Sequence, residues 1–234
     1  MLTDSFLNDL LYLRDKLVKK EPFSITRFGD GEMMIMNGVH LNLLHRGEYN
    51  FNGQEDIRRE LYESFTHNQD DYIVGVACRC CIGDDNHEAM KKATGLPDEK
   101  LTIANIFVNS NYPHFRKELV PIFKDYKITL VAPGHTNNLP FEVDTHIPVG
   151  PDAWTKNADV YEKLVSRLTE QDDEHHLVLI CAGPFANILC YKLFKEFPSN
   201  TIIDMGSVFN VELGIGADRG YLRGASTLSK TCIW

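Results

Sequence analysis

Apolar residues along the chain follow two alternating patterns, short continuous runs and longer stretches in which they recur every three or four positions. The short runs, several of them rich in β-branched residues, are Phe23–Phe28, Tyr72–Cys78, Thr102–Val108, Ile128–Ala132, Leu177–Ala182 and Thr201–Met205. The amphipathic stretches between them are Gln54–Thr66, Pro113–Phe123, Asn157–Glu170 and Pro184–Phe197. Runs that are apolar on both faces are typical of central strands in a covered parallel sheet. The alternation therefore predicts an α/β fold, a Rossmann-like three-layer sandwich with a mostly parallel sheet.

The first twenty residues predict a further amphipathic helix, over residues 3–19. One broad side is expected to carry its apolar residues: Leu7, Leu10, Leu11, Tyr12, Leu17 and Val18. Asp9, Arg14 and Lys16 are expected mostly on the opposite, polar side. No internal repeat or Ser/Gly linker interrupts the chain, so we predict one domain over residues 1–234, with irregular loops around 79–100 and 133–156.

Composition and charge exclude several classes of protein. A chain of 234 residues that is 43% hydrophobic carries too many apolar side chains for intrinsic disorder. The formal net charge of −9 argues against a general nucleic-acid binder, which needs a basic face. No apolar run approaches the roughly 18 residues of a membrane span, and the first residues lack the basic start and cleavage site of a signal peptide. We therefore expect a cytoplasmic protein without a membrane span.

The chain has six cysteines, three of them in the segment Cys78-Arg79-Cys80-Cys81. A zinc site built from Cys78 and Cys80 with a distant histidine is one interpretation, but the spacing differs from that of the usual zinc fingers. The favoured interpretation is a set of free thiols in or beside buried strands.

The segment Arg27-Phe28-Gly29-Asp30-Gly31-Glu32 ends the first apolar run. In an extended or turning backbone, an Asp-x-Glu spacing can direct two carboxylates toward one hard cation such as Mg²⁺ or Mn²⁺. Glycines on either side of Asp30 allow a close backbone approach, and Arg27 offers a planar fork for phosphate. The alternative is an ordinary surface turn, because Asp-Gly is a common turn dipeptide.

Two later segments carry weaker signals. Gly183-Pro184 follows a buried run and opens a helix, and the backbone N–H groups of such a turn suit a phosphate. Asp204 ends the last apolar run and Glu212 follows it, so either carboxylate is a candidate base or a structural partner. No histidine forms a metal-binding or triad pattern, and no G-x-G-x-x-G motif supports a Rossmann oxidoreductase.

Together these segments resemble the GT-D-type glycosyltransferases, a family first described as a domain of unknown function in streptococcal adhesin glycosylation. The resemblance runs from about Ser24 to Glu212 and is strongest in SITRFGDGEMMIMNG, which is similar to the opening signature of the family. Four further segments resemble the family in the expected order: VAPGHTNNLPF, IPVGPDAW, LVLICAGPFANILCYKLF and IIDMGSVF.

The resemblance implies a GT-D-type fold and a metal-dependent transfer from a nucleoside-diphosphate sugar, with UDP-sugars as the expected class, to a glycan or protein-linked acceptor. Asp30 and Glu32 would hold Mn²⁺ or Mg²⁺, and an acid, Glu212 ahead of Asp204, would act as the base. The nucleotide sugar would contact Arg27, Phe28, Gly29, Asp152, Gly183 and Pro184.

Two positions depart from the family pattern. Ser207 stands where the family usually has histidine, and no arginine lies near Thr136 and Asn137. These departures support an alternative hypothesis, a nucleotide-sugar-binding module that has lost turnover.

Overall fold

A seven-stranded, fully parallel β-sheet forms the centre of the computed structural model, which describes residues 6–170 and 175–223. The strands in chain order are β1 (Ser24–Arg27), β2 (Leu41–Asn42), β3 (Asn50–Phe51), β4 (Tyr72–Val76), β5 (Leu101–Ile103), β6 (Lys127–Ala132), β7 (Thr145–Pro148), β8 (His176–Ile180) and β9 (Thr201–Asp204). The sheet order is β5–β4–β1–β9–β8–β6–β7, while β2 and β3 form a separate antiparallel pair. The predicted α/β fold with a parallel sheet is confirmed.

Helices connect the strands, as parallel pairing requires. In chain order they are α1 (Phe6–Lys19), α2 (Asp30–Met36), α3 (Glu55–Thr66), α4 (Arg79–Ile82), α5 (Asp84–Thr94), α6 (Tyr112–Glu118), α7 (Ala153–Lys156), α8 (Val160–Thr169) and α9 (Pro184–Glu196). Shorter 3₁₀ turns lie at Leu44–Arg46, Asp98–Lys100, Asn109–Asn111, Val120–Asp125 and Gly220–Arg223. Across the described part of the chain, no helix has the length and apolar character needed to cross a bilayer.

Both faces of the sheet are buried, and each strand supplies both cores. In β8, Val178 packs with α3, α8 and α9 on one side, whereas Leu177 and Leu179 pack with α1 and α6 on the other. This alternation follows from the two-residue period of a strand. Because each fully buried aliphatic side chain contributes roughly 1.5–3 kcal/mol, two complete cores hold the central strands rigidly.

The buried face of α1 differs from the predicted one. Leu10, Leu13 and Leu17 have no exposed surface and form the seam against the sheet, while Tyr12 and Val18 are exposed. The spacings of three and four residues place these three leucines on one narrow face, of which the prediction included Leu10 and Leu17 but not Leu13. Asp9 and Lys16, predicted on the polar side, are buried.

The segments predicted as irregular loops contain regular elements. Residues 79–100 include α4 and α5, and residues 133–156 include β7 and α7. Three of these elements have only four residues, and β7 lies at the sheet edge. Helix α5 has 11 residues but buries only His87, Met90 and Thr94, so few apolar residues mark it. The predicted helix Pro113–Phe123 instead ends at Glu118, because Pro121 cannot donate a helical hydrogen bond and the chain continues as a 3₁₀ turn.

The order in which the chain adds strands reverses at the centre of the sheet, between β1 and β9, although all strands run parallel. From β1 the chain moves outward through β4 to β5, then crosses to the other side and returns to β9. Ligands of open α/β sheets bind outside the carboxyl ends of the strands at such a switch point. A ligand site is therefore expected beside the loops that follow Arg27 and Asp204.

Candidate functional site

A cleft of about 730 Å³ lies at this switch point, beyond the carboxyl ends of the central strands. Its walls come from the segments that follow all seven strands of the central sheet, and from the turn that joins β2 to β3. Asp30, Glu32, Gly29, Gly183 and Asp204 all line it. The fold thus brings together segments that lie more than 150 positions apart in the sequence.

Arg27, the last residue of β1, is tied to the neighbouring strand ends at the cleft floor. Its Nε donates to the carbonyl oxygen of Asp204 at 2.9 Å, and its Nη2 lies 3.3 Å from the Asp204 carboxylate. Its Nη1 donates to the carbonyl of Ala104 at 3.3 Å, and the guanidinium carbon lies 5.5 Å from the ring centre of Phe107. Arg27 lines the cleft, but much of its donor capacity is used within the protein.

Asp204 is the buried partner of Arg27 and is only 6% exposed at its side chain. Its Oδ1 also accepts the backbone N–H of Gly206 at 2.9 Å. Burial raises the pKa of the Asp204 carboxyl, and the positive charge of Arg27 opposes this rise. The backbone of Gly206 has a φ of +53°, and a Cβ at that position would collide with Nη2 of Arg27. Glycine at 206 therefore keeps the ion pair in place.

Asp30 and Glu32 lie in the first turn of α2, which begins immediately after Gly29. Glu32 turns back so that its Oε2 accepts the N–H of Gly29 at 2.8 Å. Burial raises the pKa of Glu32 to about 7, and the negative charges of Asp204 and Asp30 add to this rise. Asp30 is exposed and has no side-chain hydrogen bond or ion pair with the residues that the structure describes. The two carboxylates therefore line one cleft from the first turn of a helix, whereas the prediction was an extended or turning segment.

Tyr49 packs between two glycine turns of the cleft. A Cβ on Gly31 would collide with the Tyr49 hydroxyl, and a Cβ on Gly183 would lie 3.5 Å from its ring. The ring of Tyr49 meets that of Trp154 edge-on, with their centroids 5.2 Å apart. Burial and the negative charge of Glu32 raise the pKa of Tyr49, so its hydroxyl stays protonated. These contacts form an aromatic wall beside the carboxylate pair.

Asp152 supports this wall from behind. Its Oδ1 accepts the indole N–H of Trp154 at 2.7 Å and the backbone N–H of Asn50 at 3.1 Å. Asp152 lines the cleft but is only 8% exposed, and its backbone has a left-handed φ of +61°. Its carboxylate therefore positions Trp154 and the β3 strand.

The Gly183–Pro184 turn lies in the cleft as predicted from the sequence, with Pro184 as the first residue of α9. One turn further, the buried Asn187 donates from Nδ2 to the carbonyl of Arg27 at 3.0 Å and so fixes α9 against the end of β1. Gly183 has a φ of +57°, which favours glycine at this turn.

Two predicted site residues do not line the cleft. Phe28 is fully buried and packs edge-on against Phe65, so it belongs to the core. Glu212 forms an ion pair of 2.6 Å with Arg116 of α6. The turn that carries Glu212 is anchored by buried Phe209 and Leu213, which direct this segment toward α6. Phe28 was predicted to contact the nucleotide sugar and Glu212 to act as the base, but neither residue lines the cleft.

Sequence reasoning missed several polar residues that do line the cleft. Arg46, on the turn between β2 and β3, is exposed and its side chain pairs with no described residue. Arg219 forms an ion pair of 2.6 Å with Glu48, and the Ser207 and Tyr221 hydroxyls lie 2.7 Å apart. The segment around Arg46 is a short polar turn without a periodic pattern, so no sequence signal marks it.

Comparisons with known proteins identify the fold. No family model and no curated protein matches the chain. A solved structure of domain of unknown function 1792, described as having a distinct glycosyltransferase fold, aligns with a TM-score of 0.58 at 18% identity, covering 88% of this chain and 80% of its own. A structure described as a new glycosyltransferase (DUF1792) from Streptococcus sanguinis aligns with a TM-score of 0.58 at 19% identity, covering 92% and 85%. The chain has the fold of these structures, as its sequence resemblance implied.

Proposed function

We propose that the chain is a metal-dependent glycosyltransferase that moves a sugar from a nucleoside-diphosphate sugar of the UDP class to a glycan or protein-linked acceptor. The observation that carries the proposal is the pair Asp30 and Glu32 in a cleft at the switch point of a glycosyltransferase-type fold.

The donor set of the cleft suits a hard divalent cation. Asp30 has no side-chain partner among the described residues, and one oxygen of Glu32 remains beside the oxygen bound by Gly29. Burial and two like charges raise the pKa of Glu32 to about 7, and a cation between the carboxylates would relieve that repulsion. Mn²⁺ or Mg²⁺ would take the remaining ligands from phosphate and water. When bound, such a cation supplies charge neutralisation for the departing diphosphate.

The donor diphosphate would be held by the cations and backbone groups of the cleft. Arg46 offers a guanidinium at the rim that pairs with no described residue, and Arg27 offers a fixed positive charge at the floor. The Gly183–Pro184 turn presents the N-terminus of α9, where N–H groups and the helix dipole favour a phosphate. These groups would orient the leaving group before transfer.

The acceptor hydroxyl needs a base within hydrogen-bond reach. Asp204 lines the cleft but is paired with Arg27, and Glu212 is paired with Arg116 outside it. Asp218 also lines the cleft, accepts a hydrogen bond from Asn210 at 3.0 Å and lies 3.6 Å from Nε of Arg219, but its side chain is 39% exposed, whereas those of Asp204 and Glu212 are 6% and 15% exposed. We therefore place Asp218 ahead of both earlier candidates.

The carboxylate pair is tested by the coupling between metal and nucleotide. If both ligands share one site, Mn²⁺ should tighten UDP binding and UDP should tighten Mn²⁺ binding by the same factor. Asp30→Asn and Glu32→Gln should each abolish this coupling, because each removes a ligand charge, while the fold persists. Titration calorimetry of UDP with and without Mn²⁺ measures the factor.

Asp85→Asn is the matched control, because Asp85 is also an exposed carboxylate in the first turn of a helix, α5, and does not line the cleft. It should leave the coupling unchanged. Mn²⁺-enhanced UDP binding that survives in both cleft variants would place the metal elsewhere and remove the main support for the proposal.

A nucleotide-sugar-binding module without turnover is the second candidate. The Ser207 hydroxyl, at the position where the related family usually has histidine, is bound to Tyr221 at 2.7 Å. Incubation with a panel of nucleotide sugars, Mn²⁺ and acceptor sugars separates the two functions. Release of UDP supports the transferase, and tight binding without release supports the module.

A further inference from the structure

Three cysteine sulfurs converge beside the cleft, at a place that the proposed glycosyl transfer does not use. The Sγ atoms of Cys78, Cys80 and Cys81 all lie within 4.8 Å of one another, and those of Cys78 and Cys80 are 3.1 Å apart. Among the described residues, no other group of three or more cysteine, histidine or acidic side chains has ligand atoms this close together.

The local backbone explains why this spacing brings the sulfurs together. Cys78 precedes the first residue of α4 in an extended conformation, and the N–H of Cys81 donates to its carbonyl at 3.0 Å. Residues three apart at the start of a helical turn lie on one face, so Cys81 returns over Cys78. Cys80 closes the triangle, with its sulfur 4.0 Å from that of Cys81. The backbone thus brings together three cysteines whose spacing in the sequence matches no usual zinc motif.

Asn105 completes the surroundings of the sulfurs. Its side-chain amide approaches the Sγ atoms of Cys78 at 3.3 Å and Cys81 at 3.2 Å. Both Asn105 and Cys81 line the cleft, and Cys81 is exposed whereas Cys78 is buried. The cluster is therefore open to solvent on one side and enclosed on the other, which gives an ion a path of entry.

The ligand chemistry identifies the class of ion. Thiolates are soft ligands that select Zn²⁺ or Cu⁺, whereas Mg²⁺ and Mn²⁺ prefer oxygen. Three protein ligands with a fourth position left for water are typical of open zinc sites. On binding, each coordinating thiol gives its proton to solvent and a sulfur–metal bond replaces the S–H bond.

We propose that Cys78, Cys80 and Cys81 form a binding site for one thiophilic metal ion, with Zn²⁺ as its probe, in the wall of the cleft. This site is chemically separate from the carboxylate pair at Asp30 and Glu32. The chain would therefore hold two kinds of cation at two sites of one cleft.

Zinc uptake by the full-length chain tests the proposal. The protein, kept reduced and free of metal, is titrated with Zn²⁺ against a chromophoric chelator, and with Co²⁺ for thiolate-to-cobalt absorption in the near ultraviolet. We expect one Zn²⁺ per chain. Cys80→Ser should weaken binding by more than about 100-fold, because loss of a hydrogen bond to a ligand alone costs about 10–100-fold.

Control variants keep this result interpretable. Cys80 is half-buried and Cys81 is exposed, so serine at either position should leave the fold intact, as thermal unfolding will verify. Cys190→Ala removes a buried thiol of α9 from the core and should retain full Zn²⁺ affinity. Asp30→Asn should also retain it, which separates this proposal from the proposed function.

Two outcomes would overturn the site. One is a reduced, metal-free native chain that takes up no Zn²⁺. The other is unchanged Zn²⁺ affinity in both Cys80→Ser and Cys81→Ser.

Discussion

At the scale of single residues, the pair Arg27 and Asp204 determines the charge at the cleft floor. Arg27 lines the cleft, but the spacing of its sequence motif does not reveal that Asp204, 177 positions later, is its partner. Because both side chains are largely buried, each is needed to compensate the charge of the other. A substitution at Arg27 therefore changes stability as well as ligand binding.

Arg27→Lys should weaken UDP binding and lower the free energy of unfolding by about 1–3 kcal/mol, because lysine keeps the charge but loses hydrogen bonds of the planar fork. Urea unfolding and calorimetry measure the two effects. The matched variant Arg46→Lys should weaken UDP binding without a change in stability, because Arg46 is exposed and lacks a side-chain partner among the described residues. Equal stability of Arg27→Lys and the native chain would show that the buried pair matters little.

At the scale of elements, strong patterns were predictable and short elements were not. The central runs predicted the sheet, because consecutive apolar, β-branched residues require two covered faces. Edge strand β7 and helix α4 escaped prediction because β7 has one buried residue and α4 has none, so neither carries an apolar run or a readable period. The Asp30-x-Glu32 motif marked two carboxylates that line the cleft, yet its spacing does not reveal the helical backbone of α2, which packs against α3 and β2.

Glu212, in the turn after β9, is a second case in which a local pattern could not predict where a side chain lies. Its position after β9 suggested that it could reach the acceptor, but the direction of its turn depends on the distant Arg116. We expect Glu212→Gln to keep sugar transfer within a few-fold of native and to cost no more than about 1 kcal/mol of stability, because the pair is partly exposed. Initial rates of UDP release, with Asp218→Asn measured in parallel, test this. A loss of about 10²–10⁴-fold in Glu212→Gln alone would restore it as the base.

At the scale of the whole molecule, ligand binding should appear as added stability. At a ligand concentration 100 times the Kd, binding to the folded state adds about 2.7 kcal/mol. For a chain of this size that corresponds to a rise in Tm of roughly 5–10 °C. UDP with Mn²⁺ should produce this rise and UDP alone a much smaller one, measured by differential scanning fluorimetry. Equal shifts with and without Mn²⁺ would contradict metal dependence.

The adjacency of β1 and β9 also has a consequence for the order of folding. Ser24 and Ile25 pair with Ile202 and Ile203, so the centre of the sheet closes only when nearly the whole chain is available. Contacts of such long sequence separation slow folding, and until β9 arrives one edge of β1 stays open to wrong partners. During synthesis, the nascent chain must therefore carry an incomplete sheet until β9 has left the ribosome, and this is the interval in which chaperones would matter most.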